Sequence, residues 1–184
     1  VAALITQSSL QLTGIDFKDE QGDKHLIDVL VSMGAKIHID VEDGSIQVMP
    51  GATLKNREIS VNDMIDALPI LAVVGCFGEG EMRLVDAAIA RHKESDRIAV
   101  IAKELNKMGA SIVTTADGCV VQPAPLYGAD LHSHQDHRIA LSLTVAALAA
   151  NGKSTIHDVN CMAKSYASFI HDMISVGADI KEVL

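Results

Sequence analysis

The chain has 184 residues, 48% apolar and 21% charged, which is enough apolar material to bury one substantial core. This composition excludes a disordered chain, and the longest uncharged apolar runs, 67–77 and 139–151, are shorter than the ~20 residues of a membrane span. The net charge of −9, with thinly spread lysines and arginines, argues against a nucleic-acid-binding protein. The three cysteines form no disulfide or zinc pattern, which favours a reducing cytoplasm.

The first predicted element is an apolar helix over residues 1–7. It has no N-cap before it, and the chain does not begin with methionine. We therefore expect the chain to be a fragment of a longer protein.

Three similar segments follow one another at intervals of about seventy residues. They read LVSMGAKI at 30–37, LNKMGASI at 105–112 and ISVGADI at 174–180. In each, apolar residues at helical spacing precede a glycine, which is expected to end an amphipathic helix in the left-handed conformation. In the first two, an Asp-Gly pair at 43–44 and at 117–118 then predicts a hairpin.

Upstream of each amphipathic helix lie an uncharged helix and a short strand. The helices are predicted at 1–7, 67–77 and 139–150, and the strands at 10–13, 81–85 and 154–157. Helices that are apolar on every side must be buried, so three helices should meet centrally with sheets outside them. The expected fold is one pseudo-threefold α/β (α+β) domain with helix–strand–helix–strand–strand units at about 1–50, 51–123 and 124–184.

Charged side chains collect at two positions of each unit, the start of the uncharged helix and the loop before the amphipathic helix. The second and third units hold Asp66, 91–97 (RHKESDR), 136–138 (DHR) and 164–165 (KS), whereas the first has only 22–25 (GDKH) in its loop.

Several of these residues lie where an anion would be favoured. Helix N-termini offer unpaired N–H groups and a positive dipole end, so Arg97 and Arg138 at such positions predict a phosphate or carboxylate site. Lys93 and Lys164 would reinforce it. A carboxylate beside several cations and a bound anion can transfer protons, which points to Glu94 and Asp66.

Each of these features also has a purely structural interpretation. Asp66 could be only the N-cap of the following helix, with Pro69 in its first turn. The segments 93–97 and 136–138 could be solvated or capped helix starts, and Lys164 could be an ordinary surface lysine. Their joint occurrence at matched positions of a repeat favours the functional interpretation.

Three other functions remain open. The spacing of His132, His134 and His137 suggests a metal-dependent hydrolase, with Asp136 as a fourth ligand. Cys161 could be a nucleophile, although no base to activate it is evident. The chain could also be a non-catalytic interaction domain.

Four segments together resemble those of one enzyme family. In order and spacing, Asp66-Ala67, 91–97 (RHKESDR), 136–140 (DHRIA) and 163–165 (AKS) are similar to 5-enolpyruvylshikimate-3-phosphate synthases, and the match runs through essentially the whole chain. The resemblance implies a two-domain enzyme of βαβαββ units closing as an inside-out α/β barrel, of which this chain is most of the C-terminal domain. The related UDP-N-acetylglucosamine enolpyruvyl transferases share this fold with different motifs, and they remain an alternative.

The resemblance also implies the reaction, which transfers the carboxyvinyl group of phosphoenolpyruvate to the 5-hydroxyl of shikimate 3-phosphate and releases phosphate. It implies no metal or organic cofactor. Glu94 would protonate and later deprotonate the methylene carbon, and Asp66 would help to remove the 5-hydroxyl proton. Because the partner N-terminal domain would bind most of the shikimate phosphate, we expect this chain alone to be inactive and at best a weak anion binder.

The remaining implied roles concern binding. Arg97, Arg138 and Lys164 would hold phosphoenolpyruvate, Lys93 would contact the shikimate moiety, and His137 would flank the site. A cluster of fixed cations suits a ligand with so many negative charges.

Overall fold

The computed structural model describes residues 1–18 and 24–183. Gly22 and Asp23, which the sequence assigns to the loop of the first unit, lie outside these residues. In chain order the helices and strands are α1 (Ala2–Ile5), β1 (Leu10–Leu12), α2 (His25–Ser32), β2 (Ile37–Asp40), β3 (Ser45–Val48), β4 (Glu58–Ser60), α3 (Leu68–Phe77), β5 (Met82–Val85), α4 (Arg97–Lys107), β6 (Ser111–Thr114), β7 (Cys119–Gln122), β8 (Asp130–His132), α5 (His137–Ala149), β9 (Thr155–His157) and α6 (Phe169–Ser175). Turns of 3₁₀ helix lie at Asn62–Ala67, Ala88–His92 and Val159–Lys164.

The sheets formed by residues 1–18 and 24–183 share one strand order, so the repeat of the sequence is visible in three dimensions. The second sheet has the order β4-β5-β7-β6, with β4 parallel to β5 and the other pairs antiparallel. The first sheet, β1-β3-β2, corresponds to its last three strands. The third, the parallel pair β8-β9, corresponds to its first two.

The uncharged helices form the centre of the molecule, as the sequence predicts. Eight of the ten residues of α3 are buried, and α3 packs against α5, which also contacts α1. Helix α4 lies against both α3 and α5. A Cβ at Gly75 would come within 3.1 Å of Met82 and Val121, so this glycine lets α3 approach the second sheet closely.

The three predicted glycine stops are confirmed. Gly34, Gly109 and Gly177 follow α2, α4 and α6 with φ of 103°, 94° and 99°. The amide after each glycine donates to the carbonyl five residues earlier, as from Ala110 N to Leu105 O at 3.1 Å. This bond satisfies a carbonyl that the helix end would leave unpaired.

The structure differs from the sequence interpretation in several elements. The first helix spans only Ala2–Ile5, and the strands β4 and β8 were not predicted from the residues themselves. In the third unit no strand follows α6 as far as residue 183, so the predicted repeat of helix–strand–helix–strand–strand is incomplete there. Of the helices in the described ranges, none has the length and apolarity needed to traverse a lipid bilayer.

Candidate active site

Three chain segments converge where the helices α3, α4 and α5 begin. The 3₁₀ turn before α3 carries Asp66, the residues before α4 include Lys93 and Glu94, and α5 opens with His137 and Arg138. Because these three helices pack on one another, their first turns bring the charged side chains together. The predicted convergence of units two and three is therefore present for these residues.

The guanidinium of Arg97 lies at the centre of this cluster, and its side chain is only 1% exposed. Nη1 donates to Asp66 Oδ1 at 2.6 Å, and Nη2 donates to Glu94 Oε2 at 2.8 Å. Nε donates to Asp136 Oδ2 at 2.8 Å, and Nη2 also reaches Asp136 Oδ1 at 3.3 Å. Arg97 thus fixes three carboxylates from three segments relative to one another.

Asp136 forms the buried side of this cluster, because its carboxylate is fully buried. As the N-cap of α5 it accepts from the amide of Arg138 at 2.9 Å, and it also accepts from Ser95 Oγ at 3.0 Å. Burial opposes its ionisation, but Arg97 and these two hydrogen bonds outweigh burial and hold the pKa of Asp136 below its usual value. In the same way, Asp136 and Asp66 outweigh burial and raise the pKa of Arg97. The pair is therefore ionised.

Three cationic side chains surround the carboxylate of Asp66. Arg97 Nη1 lies 2.6 Å from Oδ1, Lys93 Nζ 3.5 Å from Oδ1, and Arg138 Nη2 3.4 Å from Oδ2. Partial burial opposes ionisation, yet these cations lower the pKa of Asp66. Asp66 makes no capping hydrogen bond to α3, whose N-cap is Ala67, so the capping interpretation of this residue is wrong.

One side of the cluster is accessible. The side chains of Lys93, Asp66, Arg138 and Glu94 are 31%, 31%, 32% and 36% exposed, whereas Arg97 and Asp136 are buried. His137 is nearly buried, and its Nδ1 lies 3.7 Å from Glu94 Oε1. The charges of three cations and three carboxylates cancel, so an incoming anion must displace a carboxylate from its cation or gain further cations.

Lys164 is the one predicted site residue that the described contacts do not join to the cluster. It is exposed at the end of the 3₁₀ turn Val159–Lys164, which packs against α5. Within the described ranges no ion pair links Lys164 to a carboxylate. Its role stays a prediction.

The predicted metal cluster of three histidines is not formed. His134 Nε2 lies 3.0 Å from Glu104 Oε1, His132 stacks on His157, and His137 lies beside Glu94. The reason is the backbone, since His134 and the next residue, Gln135, have φ of 53° and 59° and reverse the chain between β8 and α5.

The structure also supports neither Asp136 as a metal ligand nor Cys161 as an activated nucleophile. Asp136 is occupied by Arg97 rather than available to a metal. The Cys161 thiol donates to the carbonyl of Asp158 at 3.3 Å, and among the described residues no basic side chain hydrogen-bonds to it.

A family model described as EPSP synthase (3-phosphoshikimate 1-carboxyvinyltransferase) matches residues 1–173. The chain belongs to this family. It is 44% identical over 183 residues to the 3-phosphoshikimate 1-carboxyvinyltransferase of Chlamydia abortus, covering 98% of this chain and 40% of that protein. It is 42% identical over 181 residues to the enzyme of that name from Ruminiclostridium cellulolyticum, covering 98% of this chain and 42% of that protein. The chain thus spans about two fifths of the length of these relatives.

Solved structures agree with this family assignment. An EPSP synthase from Acinetobacter baumannii superposes with a TM-score of 0.87 at 30% identity, covering 98% of this chain and 44% of the solved one. The enolpyruvyl transferase NikO from Streptomyces tendae superposes with a TM-score of 0.83 at 24% identity, which shows the shared fold alone. The α/β fold expected from the repeats is confirmed.

In this member of the EPSP synthase family, the sequence does not predict how the centre of the cluster is supported. The sequence predicts Asp136 only as a cap or metal ligand and predicts no role for Ser95. In the structure Asp136 holds Arg97 directly, and Ser95 holds it through its hydrogen bond to Asp136. The capping signal before α5 was visible, but nothing local indicates a bond across 39 residues between Arg97 and Asp136.

Proposed function

We propose that this chain supplies the phosphoenolpyruvate-facing part of a 3-phosphoshikimate 1-carboxyvinyltransferase, and that a domain outside the chain completes the site. The convergence of Asp66, Glu94 and Arg138 around Arg97 carries the proposal, together with membership of the EPSP synthase family. The units of about 1–50, 51–123 and 124–184 would form most of one domain.

A cytoplasmic location accords with the three free cysteines, of which Cys76 and Cys119 are buried.

The reaction has two stages. In the first, the 5-hydroxyl oxygen of shikimate 3-phosphate bonds to C2 of phosphoenolpyruvate, the hydroxyl loses its proton, and C3 gains one. In the second, the tetrahedral intermediate releases phosphate from C2 and a proton from C3, which restores the double bond. One group must accept the hydroxyl proton, and one must first give and then take a proton at C3.

We assign the hydroxyl proton to Asp66 and the C3 proton to Glu94. Both carboxylates are about one third exposed, so a substrate can reach them, and both are held by the same guanidinium. Asp66 also contacts Lys93 and Arg138, which favours its ionised form and its contact with hydroxyl groups. Glu94 has one bond to Arg97 and faces the nearly buried His137, so fewer cations surround the carboxylate of Glu94 than that of Asp66.

Phosphoenolpyruvate would be held by Arg97, Arg138 and Lys164, with Lys93 toward the shikimate moiety and His137 flanking the site. Arg97 donates to three carboxylates in the structure, so binding of phosphoenolpyruvate to Arg97 requires Glu94 or Asp66 to give up its bond to Arg97. Such an exchange would couple anion binding to release of the acid and base for catalysis. It also makes weak anion binding by this chain alone the expected result.

The test uses the intact parent protein with phosphoenolpyruvate and shikimate 3-phosphate, and it follows release of phosphate and formation of the vinyl ether. Glu94→Gln should lower kcat by at least about a hundredfold, the usual contribution of a positioned acid–base group. Glu42→Gln, at an exposed glutamate in the β2–β3 turn, should leave kcat unchanged. Unchanged turnover in Glu94→Gln, or turnover with UDP-N-acetylglucosamine in place of shikimate 3-phosphate, would overturn the proposal.

A further inference from the structure

Two histidines and a carboxylate meet on one face of the third sheet, outside the Arg97 cluster. In the parallel pair β8-β9, His132 and His157 are register partners, and Asp130 lies two residues before His132 on the same face. The imidazole rings stack with their centroids 4.7 Å apart and an interplanar angle of 22°. The spacing of strands, rather than a sequence motif, therefore brings these three groups together.

The ligand atoms of these three side chains lie close to one another. His157 Nε2 lies 3.0 Å from Asp130 Oδ2, and His132 Nε2 lies 3.7 Å from Asp130 Oδ1. All three ligand atoms lie within 4.8 Å of one another. In a tetrahedral zinc site with bonds near 2.1 Å, neighbouring ligand atoms are about 3.4 Å apart, so small side-chain movements would suffice.

A fourth residue, Asp158, lies close to one of the histidines. Asp158 Oδ2 lies 3.7 Å from Nδ1 of His132, on the side of the ring opposite to Nε2. This distance is longer than a hydrogen bond, but the negative charge on that side of the ring favours the tautomer with its proton on Nδ1, which leaves the Nε2 lone pair for a metal. The positive charge of Lys107 disfavours a metal ion here, because Nζ of Lys107 lies 3.5 Å from the carbonyl oxygen of Asp130. Glu104 Oε2 lies 2.6 Å from the same Nζ and offsets that charge.

We propose that Asp130, His132 and His157 form a binding site for a divalent transition-metal ion of borderline softness, for which Zn²⁺ is the probe. Two imidazole nitrogens and one carboxylate oxygen suit such an ion and not Mg²⁺, which prefers oxygen ligands and octahedral geometry. The side chains are 43–69% exposed, so water would complete the coordination and the site would be weaker than a closed structural one. A bound ion would link β8, which leads into α5, to β9.

The test is calorimetric titration of the tag-free chain with Zn²⁺ in the presence of excess Mg²⁺, repeated with Co²⁺ to follow its visible absorption. The variants are His132→Asn and His157→Asn, with His38→Asn as the matched control. His38 is also exposed on a strand with an aspartate, Asp40, two residues away, but its register partner is Gln47 rather than a histidine.

We expect one Zn²⁺ per chain, an affinity at least tenfold lower in His132→Asn and in His157→Asn, and no change in His38→Asn. Circular dichroism without metal should show that all variants are folded. Absence of stoichiometric binding by the unmodified chain, or equal binding by all four proteins, would overturn the proposal. So would an equal loss in His38→Asn.

Discussion

Replacing Asp136 by asparagine tests the buried centre of the cluster. Asparagine keeps an oxygen that can accept from the amide of Arg138, so the N-cap of α5 survives, but the charge facing Arg97 is lost. Removing one partner of a buried ion pair costs about 3–5 kcal/mol, because the other charge stays buried without it. Arg97 keeps Asp66 and Glu94, so we expect a loss at the low end, about 3 kcal/mol.

The chain contains a matched control for this change. Asp96 is the N-cap of α4 and lies 2.7 Å from Arg91, but its side chain is 37% exposed. Because exposed pairs contribute about 0.2–1 kcal/mol, Asp96→Asn should cost less than about 1 kcal/mol.

Urea denaturation followed by circular dichroism measures both losses in the free energy of unfolding. At about 2–4 °C per kcal/mol for a chain of this size, Asp136→Asn should lower Tm by roughly 6–12 °C. If Asp136→Asn costs no more than Asp96→Asn, then Arg97 is not held by a buried ion pair and the description of the cluster is wrong.

Three further predictions concern the stability of the chain. Because the folded-state pKa values of Asp66 and Asp136 are lowered, their contribution is complete above the ordinary aspartate value of about 4 and is lost as the pH falls through the lowered values. As the pH is lowered below about 4, the urea concentration at the midpoint of unfolding should therefore fall. An equally large fall in Asp136→Asn would contradict this assignment. Glu104→Gln should cost about 2 kcal/mol by urea denaturation, because the buried carboxylate accepts from Lys107, His134 and the amide of His132; a loss as small as that of the exposed Glu42→Gln would refute it. Gly118→Ala should lower Tm far more than Gly80→Ala, since a Cβ at Gly118 would lie 1.8 Å from the carbonyl oxygen of Leu84, whereas a Cβ at Gly80 has nothing within 4 Å and adds only the strain of a left-handed φ of 83°, about 1–2 kcal/mol; equal Tm values would show that the turn at Gly118 can shift.

The main elements could be predicted where the signal is local. The α3 and α5 regions are uncharged over more than two turns, and α4 combines apolar periodicity with Asp96 as a cap and Gly109 as a stop. The strands β4 and β8 could not, because each has three residues with one apolar side chain between two polar ones. Their pairing partners, β5 and β9, lie more than twenty residues away.

The same distinction holds for the site. Repetition located these residues at two recurring positions, Asp66 and Arg138 at the start of the uncharged helices and Glu94 and Arg97 before the amphipathic helix, and the structure brings all four together. The partners within the cluster could not be foreseen, since they depend on how α3, α4 and α5 pack. The histidine spacing misled because two left-handed residues reverse the chain between His132 and His137.

The central claim is that the accessible side of the Arg97 cluster faces phosphoenolpyruvate. The most direct measurement is titration of the isotopically labelled chain with tens of millimolar phosphoenolpyruvate, followed by amide and arginine side-chain resonances. We expect weak binding, with the largest shifts at Asp66, Lys93–Arg97 and His137–Arg138, and an attenuated response in Arg138→Ala. Shifts centred elsewhere, or no shift at the cluster, would contradict the claim.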